Sequence, residues 1–96
     1  SGQVPLDPET GKIVDGSITD QATRVMKNLK AVLEGTGLNF SDVVKTTILL
    51  QDLSHFSQVN EIYAEWMGEA RPARATFQVA ALPVGALIEV EMIASR

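Results

Sequence analysis

The chain has 96 residues, a formal net charge of −4 and 45% hydrophobic residues, and we interpret residues 1–96 as a single domain with a small core. It has no cysteine and one histidine, which excludes disulfides and thiol nucleophiles and argues against a zinc site. Its eight basic residues are scattered along the chain, whereas a protein that binds a phosphate backbone usually carries a basic stripe, so a nucleic-acid partner is not expected.

The first third of the chain predicts a strand end, a turn and a helix. Residues 1–11 begin with an extended segment and continue into a polar turn that is rich in Pro and Gly. A helix follows, because Ser17 and Asp20 have the spacing of a capping pair and apolar residues then recur every three or four positions. Gly35 or Gly37 is suited to end this helix in a left-handed conformation.

The middle of the chain predicts a strand and a second helix. The β-branched run at 43–50 is typical of a central strand with both faces buried. Ser54 is the predicted cap of the next helix, and Gly68 stands where a glycine commonly ends one. We interpret Tyr63 and Trp66 as core residues rather than as a ligand platform, since both belong to one apolar stripe. The stripe consists of Phe56, Val59, Ile62, Tyr63, Trp66 and Met67.

Two strands, at about 74–80 and 86–95, complete the chain, and Pro83-Val84-Gly85 is the predicted turn that brings the second alongside the first. The order of strand, helix, strand, helix, strand, strand predicts an α+β fold with a mixed β-sheet and two helices packed on one face. No element remains to cover the other face. We therefore expect an apolar patch that an oligomer would bury, with the residues Ile48, Leu50, Val79 and Val90 on it.

No apolar run approaches the roughly 20 residues that a membrane-spanning helix needs, and no signal sequence is present. We therefore expect a cytoplasmic protein without a membrane partner. The chain starts at Ser1 rather than at methionine, so removal of an N-terminal targeting segment would instead place it in a mitochondrion or a plastid.

Candidate chemistry lies in the C-terminal third. Pro72 favours extended backbone before it, so Arg74 begins a strand, and the predicted turn would bring Glu89 near it. A guanidinium beside a carboxylate forms an anion clamp next to a general base. A solvated arginine and strand glutamates that face water explain the same spacing, so the pattern alone leaves both interpretations open.

Several short sequence motifs follow one another along the whole chain. They are Ser1-Gly2-Gln3, Asp7-Pro8-Glu9-Thr10-Gly11, Asp42-Val43-Val44-Lys45-Thr46-Thr47, Val59-Asn60-Glu61-Ile62-Tyr63, Arg71-Pro72-Ala73-Arg74, Gln78-Val79-Ala80-Ala81-Leu82-Pro83 and Ile88-Glu89-Val90-Glu91. Together they resemble the RidA family, also called YjgF or perchloric-acid-soluble proteins, which are enamine and imine deaminases. The resemblance covers essentially the whole chain.

The resemblance implies a chorismate-mutase-like α+β fold and a homotrimer with pockets at the subunit interfaces. It also implies hydrolysis of reactive 2-enamino and 2-imino acids to 2-oxo acids and ammonia, without a cofactor or a metal. The substrates it implies are 2-aminoacrylate with its tautomer 2-iminopropanoate, and 2-iminobutanoate. Such an enzyme serves metabolite damage control.

The resemblance also implies roles for individual residues. Arg74 holds the substrate carboxylate and Glu89 orients and activates the attacking water, so both are candidate catalytic residues. Further substrate-binding positions that match the family's motifs are Asn60, Ser1, Gly2 and Thr76.

The sequence departs from the family at two places. Thr76 stands where many members carry cysteine, so no thiol role is expected. An upstream strand and loop of the family, with a Gly-Pro-Tyr motif, is absent from these 96 residues, which leaves the activity of this chain open. Two alternatives also stay open: a non-catalytic regulatory protein that binds small carboxylates, and an endoribonuclease.

Overall fold

The computed structural model describes residues 2–96, which form helices and strands in the predicted order. The bounds are β1 Gly2–Gln3, α1 Ile18–Gly35, β2 Val43–Leu50, α2 Phe56–Met67, β3 Ala73–Gln78 and β4 Ile88–Ala94. β3 therefore ends two residues before the predicted end, and β4 begins two residues after the predicted start. Within residues 2–96, neither helix has the length and apolar character that crossing a membrane would require.

The strands of residues 2–96 form one mixed sheet in the order β1-β4-β2-β3. β3 pairs with β2 in parallel and β4 pairs with β2 antiparallel, so Thr46 lies between Arg74 and Met92. The predicted pairing of β3 with β4 through the turn at 83–85 is therefore wrong. α2 carries the chain back to the start of a parallel β3, and the segment after β3 then crosses to the other edge of β2.

Both helices pack on one face of the sheet, as predicted. The buried apolar residues of this core are Ile18, Ala22, Val25, Met26, Leu29, Leu33, Val43, Ile48, Leu50, Val59, Tyr63, Met67, Ile88, Val90 and Met92. Ile48, Leu50 and Val90 were expected on the open face and are instead under the helices, while Val79 follows the end of β3. Successive side chains of a strand point to opposite faces of the sheet. The prediction assigned the wrong alternate set of side chains to the open face.

The open face of the sheet carries apolar and charged side chains together. Phe77 is 56% exposed and Ile93 is 50% exposed, and Leu49, which pairs with Phe77, is half-buried. Glu89 and Glu91 alternate with buried residues of β4 and so share this face with Ile93. In the single chain β2 thus has one buried face, not the two that its β-branched run predicted.

The predicted start and end of α1 are confirmed. The Ser17 hydroxyl accepts a hydrogen bond from the Asp20 backbone N–H at 3.3 Å, and the Asp20 carboxylate accepts one from the Ser17 N–H at 3.1 Å. This reciprocal pair satisfies two N–H groups that a helix start leaves free. At the other end, Gly37 has φ of 77° just beyond the helix, a conformation that glycine adopts without strain.

The start of α2 differs from the prediction, because its N-cap residue is His55, which makes no side-chain cap bond, and Asp52 caps the short turn that precedes the helix. The Asp52 carboxylate accepts a hydrogen bond from the Ser54 backbone N–H at 2.9 Å, and a short 3-10 turn at Leu53–His55 leads into the helix. The backbone hydrogen bond from Ser54 and then its hydroxyl lower the pKa of Asp52, since both favour the charged carboxylate. Gly68 ends α2 as predicted, with φ of 60°.

Gln21 is a buried polar residue of α1 that fastens two loops to the helix. Its side-chain Nε2 donates to the carbonyl of Val14 at 3.2 Å, and its Oε1 accepts from the N–H of Leu87 at 2.9 Å. The side chain is only 6% exposed. These two bonds hold the segment before α1 and the approach to β4 in place.

We expect Gln21→Ala to lower the free energy of unfolding by about 1–3 kcal/mol, because it leaves loop backbone groups without their partner. Urea denaturation followed by circular dichroism measures the change. The matched control is Gln58→Ala, at an exposed position of α2, which should shift the same quantity by less than about 0.5 kcal/mol. Equal losses in the two variants would contradict the role given to Gln21.

Candidate functional site

Arg74 lies at the start of β3 and is directed to the helix side of the sheet. It pairs in register with Thr46, a fully buried residue of β2, and paired residues of neighbouring strands point to the same face. Its guanidinium Nη1 donates a hydrogen bond to Oδ1 of Asn60 at 2.6 Å. The sequence-predicted residues Arg74 and Asn60 are therefore brought together.

The α2 helix gives the guanidinium an aromatic surface. Phe56, Asn60 and Tyr63 are spaced by four and three residues, which places them on one face of a helix. Cζ of Arg74 is 5.1 Å from the centroid of the Tyr63 ring and 5.6 Å from that of Phe56, and both distances are within cation–π range. Of the two predicted core residues, Tyr63 is buried and Trp66 is partly buried against the core, whereas Phe56 of the same stripe is 39% exposed.

The partners of Arg74 leave its charge uncompensated. Its one side-chain hydrogen-bond partner within residues 2–96 is the neutral amide of Asn60, and no carboxylate there pairs with it. Arg74 is exposed, and a guanidinium has five N–H donors. The group can therefore take a carboxylate through two parallel hydrogen bonds.

A cleft of about 280 Å³ lies beside Arg74, between α2 and the start of β3. Its apolar lining comes from Tyr63, Ala64, Met67, Ala70 and Pro72, and its polar lining includes Asn60, Arg71 and Arg74. Arg71 is engaged elsewhere, since its Nη1 donates to the carbonyls of Gly68 and Ala70 at 2.8 and 2.9 Å. An anion that enters the cleft thus meets two cations, Arg74 and Arg71, and both keep donors that these hydrogen bonds do not use.

Thr76 shares the helix side of β3 with Arg74. It pairs with Ile48, and the alternation of the strand places it two residues beyond Arg74 on the same face. Its hydroxyl oxygen is buried and has no hydrogen-bond partner among residues 2–96. Because buried hydroxyls in proteins are normally satisfied, this atom has the capacity to bond to a group from outside the described chain.

Glu89 lies on the opposite, open face of the sheet, between the buried residues Ile88 and Val90 of β4. A Cβ atom built on Gly2 would be 3.2 Å from Oε2 of Glu89, so the carboxylate packs against the backbone of β1. Gly2 and Glu89 thus form a second group of predicted site residues. Ser1, the remaining one, lies outside the described residues.

The expectation that Arg74 and Glu89 lie near each other within one chain is wrong. β2 separates their strands, and Arg74 faces the helices whereas Glu89 faces away from them. The expectation rested on a β3–β4 hairpin that does not form. Within residues 2–96, no group of three or more histidine, aspartate or glutamate side chains is placed to hold a metal ion.

Sequence reasoning missed the part that the aromatic rings play. Tyr63 was assigned to the core and is buried as expected, but the same ring lies under the guanidinium. The spacing of Phe56, Asn60 and Tyr63 on one helix face was a visible signal. Its meaning depended on knowing that β3 runs parallel to β2 and brings Arg74 against that face.

The chain matches a protein-family model and is similar in sequence to named proteins. The family model described as Endoribonuclease L-PSP matches residues 1–96. A protein of Mus musculus named 2-iminobutanoate/2-iminopropanoate deaminase is 49% identical over 94 residues, which are 98% of this chain and 70% of the mouse protein.

Two solved structures have the same fold. A putative endoribonuclease of Thermotoga maritima superposes with a TM-score of 0.97 at 47% identity, covering 100% of this chain and 76% of its own. The TdcF protein of E. coli, described with bound serine, superposes with a TM-score of 0.92 at 38% identity, covering 100% of this chain and 77% of its own. The α+β fold with two helices over a mixed sheet is therefore that of these structures.

The contact between Gly2 and Glu89 gives a structural prediction. In Gly2→Ala the added methyl group would be 3.2 Å from Oε2 of Glu89, so we expect the carboxylate to be displaced by a few tenths of an ångström while the fold is kept. A crystal structure of the variant measures the displacement. Gly35→Ala is the control, because nothing lies within 4 Å of a Cβ at that position. A Glu89 carboxylate that stays in place in Gly2→Ala would contradict the packing described.

Proposed function

This chain belongs to the endoribonuclease L-PSP family, and we propose that it is a deaminase that hydrolyses reactive 2-imino acids and their 2-enamino tautomers to 2-oxo acids and ammonia. The observation that carries the proposal is the Arg74 guanidinium, which is held by a neutral amide and aromatic rings beside a cleft and has no carboxylate partner within residues 2–96. The name of the mouse relative supports the reaction and two substrates, 2-iminobutanoate and 2-iminopropanoate.

Arg74 is the proposed clamp for the substrate carboxylate. A planar guanidinium matches a carboxylate through two parallel hydrogen bonds, a geometry that lysine does not reproduce. The apolar lining of the neighbouring cleft, from Ala64, Met67 and Pro72, suits the short aliphatic side chain of such an acid. Asn60 and Thr76 would complete this half of the site, Asn60 by holding Arg74 and Thr76 through a hydroxyl that has no hydrogen-bond partner within residues 2–96.

Glu89 is the proposed base that activates water. Its carboxylate would accept a proton from water as the water oxygen bonds to the imine carbon, and would return that proton to the imine nitrogen. The resulting carbinolamine would pass its hydroxyl proton to the amino nitrogen by the same carboxylate as the C–N bond breaks, which forms the carbonyl of the 2-oxo acid and releases ammonia. Holding and activating water beside a reactive imine lowers the barrier, so no cofactor, metal or covalent intermediate is invoked. Gly2, and Ser1 beside it, would line this half of the site.

A complete site requires two chains, since the two halves lie on opposite faces of one sheet. We propose a homotrimer in which the open face of each subunit packs against a neighbour, so that Glu89 of one chain meets Arg74 of the next. Phe77 and Ile93, which are half exposed in the single chain, would be buried there. A closed threefold ring repeats the same contact three times and leaves no unpaired surface.

A second candidate is a regulatory protein that binds small carboxylates without turnover. The solved structure of the E. coli relative with bound serine favours it, and Arg74 serves both functions equally. Glu89 distinguishes the deaminase from the binding protein, because a base is needed only for chemistry.

A ribonuclease, which the family description names, fits less well with a net charge of −4 and with a cleft of about 280 Å³.

The deaminase proposal predicts the behaviour of Arg74→Lys. In an assay that couples the protein to a dehydratase acting on threonine, we expect the variant to lose roughly 30- to 100-fold in kcat/KM for ammonia release, because one ammonium cannot make the paired hydrogen bonds. The matched control is Arg96→Lys, at an arginine that donates to the carbonyl of Gly37 and does not line the cleft. Absence of turnover by the intact wild-type oligomer would overturn the deaminase proposal and favour the binding protein.

The two-chain site predicts recovery of activity by subunit mixing. Arg74→Ala and Glu89→Gln should each be nearly inactive alone. When equal amounts are unfolded together and refolded, random trimers should regain about one quarter of the wild-type sites, because a quarter of the subunit boundaries pair an intact Arg74 with an intact Glu89. Ammonia release measures the recovery, and native mass spectrometry verifies that mixed oligomers form. Mixed trimers without recovered activity would rule out a shared site, and a monodisperse monomer would rule out the trimer.

A further inference from the structure

We propose that Tyr63 is a positioning residue for Arg74 and that Thr46 fixes Tyr63 in that role. The inference deepens the proposed function, because it rests on Arg74 being the carboxylate clamp. It assigns to a buried core tyrosine a second task, which is to hold the reactive edge of the guanidinium toward the cleft.

Three contacts connect these residues in a closed triangle. Arg74 and Thr46 are register partners on β3 and β2. The Tyr63 hydroxyl donates to the Thr46 hydroxyl oxygen at 3.0 Å, and the Tyr63 ring centroid is 5.1 Å from Cζ of Arg74. The pairing of the edge strand β3 with β2 thus places the backbone of Arg74, and the Tyr63 side chain of α2 contacts its guanidinium.

The two residues that support Arg74, Thr46 and Tyr63, are buried and have little conformational freedom. Thr46 is 0% exposed and Tyr63 is 9% exposed, and an aromatic ring has few rotatable bonds. Arg74 itself is exposed and has four side-chain torsions, so without a platform its guanidinium would sample many positions. A ring under the guanidinium restricts this freedom without using an N–H donor.

This mode of restraint leaves the donors free for a ligand. A cation–π contact uses the flat side of the guanidinium, whereas a carboxylate bonds to its edge. Asn60 uses one N–H of Nη1. The ring therefore orients the clamp before substrate arrives, which reduces the entropy lost when substrate binds. The expected signature of such preorganisation is an effect on KM rather than on kcat.

Three variants of the protein test the inference. Tyr63→Leu removes the ring, Tyr63→Phe removes only the hydroxyl, and Thr46→Val removes the hydroxyl's partner. We expect Tyr63→Leu to raise KM about 5-fold, and the other two to raise it about 2-fold, with kcat within about 2-fold of wild type. Trp66→Leu is the control, because it removes a half-buried aromatic residue of the same helix that does not line the Arg74 cleft.

A second measurement needs no turnover. The Nε–Hε group of Arg74 gives a side-chain ¹⁵N NMR signal, and its order parameter in the resting protein should fall in Tyr63→Leu and stay unchanged in Trp66→Leu. Arg74 signals and KM that are the same in Tyr63→Leu as in wild type would overturn the inference. If wild type shows no deaminase turnover but the Arg74 order parameter still depends on Tyr63, the proposed function fails and the positioning role stands. If turnover is normal and the order parameter of Arg74 is the same in Tyr63→Leu as in wild type, the proposed function stands and the positioning role fails.

Discussion

The strict alternation of side chains along a β-strand is the constraint on which this molecule depends. Each strand of the sheet sends one set of residues under the helices and the other set to the open face. On β3 this places Arg74 and Thr76 on the helix side, and on β4 it places Glu89 on the open side. The predicted site residues therefore lie on opposite faces of one sheet. The proposed site joins them through a second copy of that sheet.

The parallel pairing of β2 with β3 determines the surroundings of Arg74. A parallel neighbour requires a crossover, and here α2 is that crossover, so the helix that connects the strands also lies against the residues they expose. The bond from the Leu53 N–H to the Gln78 side chain at 2.7 Å fastens the approach to α2 to the far end of β3. Helix and strand are thus held together at both ends, with Arg74, Asn60 and Tyr63 between them.

Local signals in the sequence predicted the helices and strands well, but they predicted less well which strands pair in the sheet. The Ser17–Asp20 pair and the glycines after each helix gave the correct ends, because capping involves residues close in sequence. The position of β4 was wrong, since a short turn after β3 is compatible with a hairpin or with a crossing to another edge. The open-face residues were wrong for a related reason: β2 has apolar residues at consecutive positions at both of its ends, so its sequence does not show which alternate set faces the helices. Arg74 and Asn60 were found by motif, but their contact depends on long-range pairing.

The choice of an amide as the partner of Arg74 has a consequence for how the clamp can be occupied. Asn60 orients the guanidinium through a single neutral acceptor. An aspartate at the same place would differ by one terminal group, yet it would be a carboxylate tethered beside the clamp at an effective concentration on the order of millimolar or more. Such a side chain would act as an inhibitor built into the protein, competing with every acid that diffuses in. The amide holds the arginine in place while leaving the clamp open to the acids it is proposed to bind.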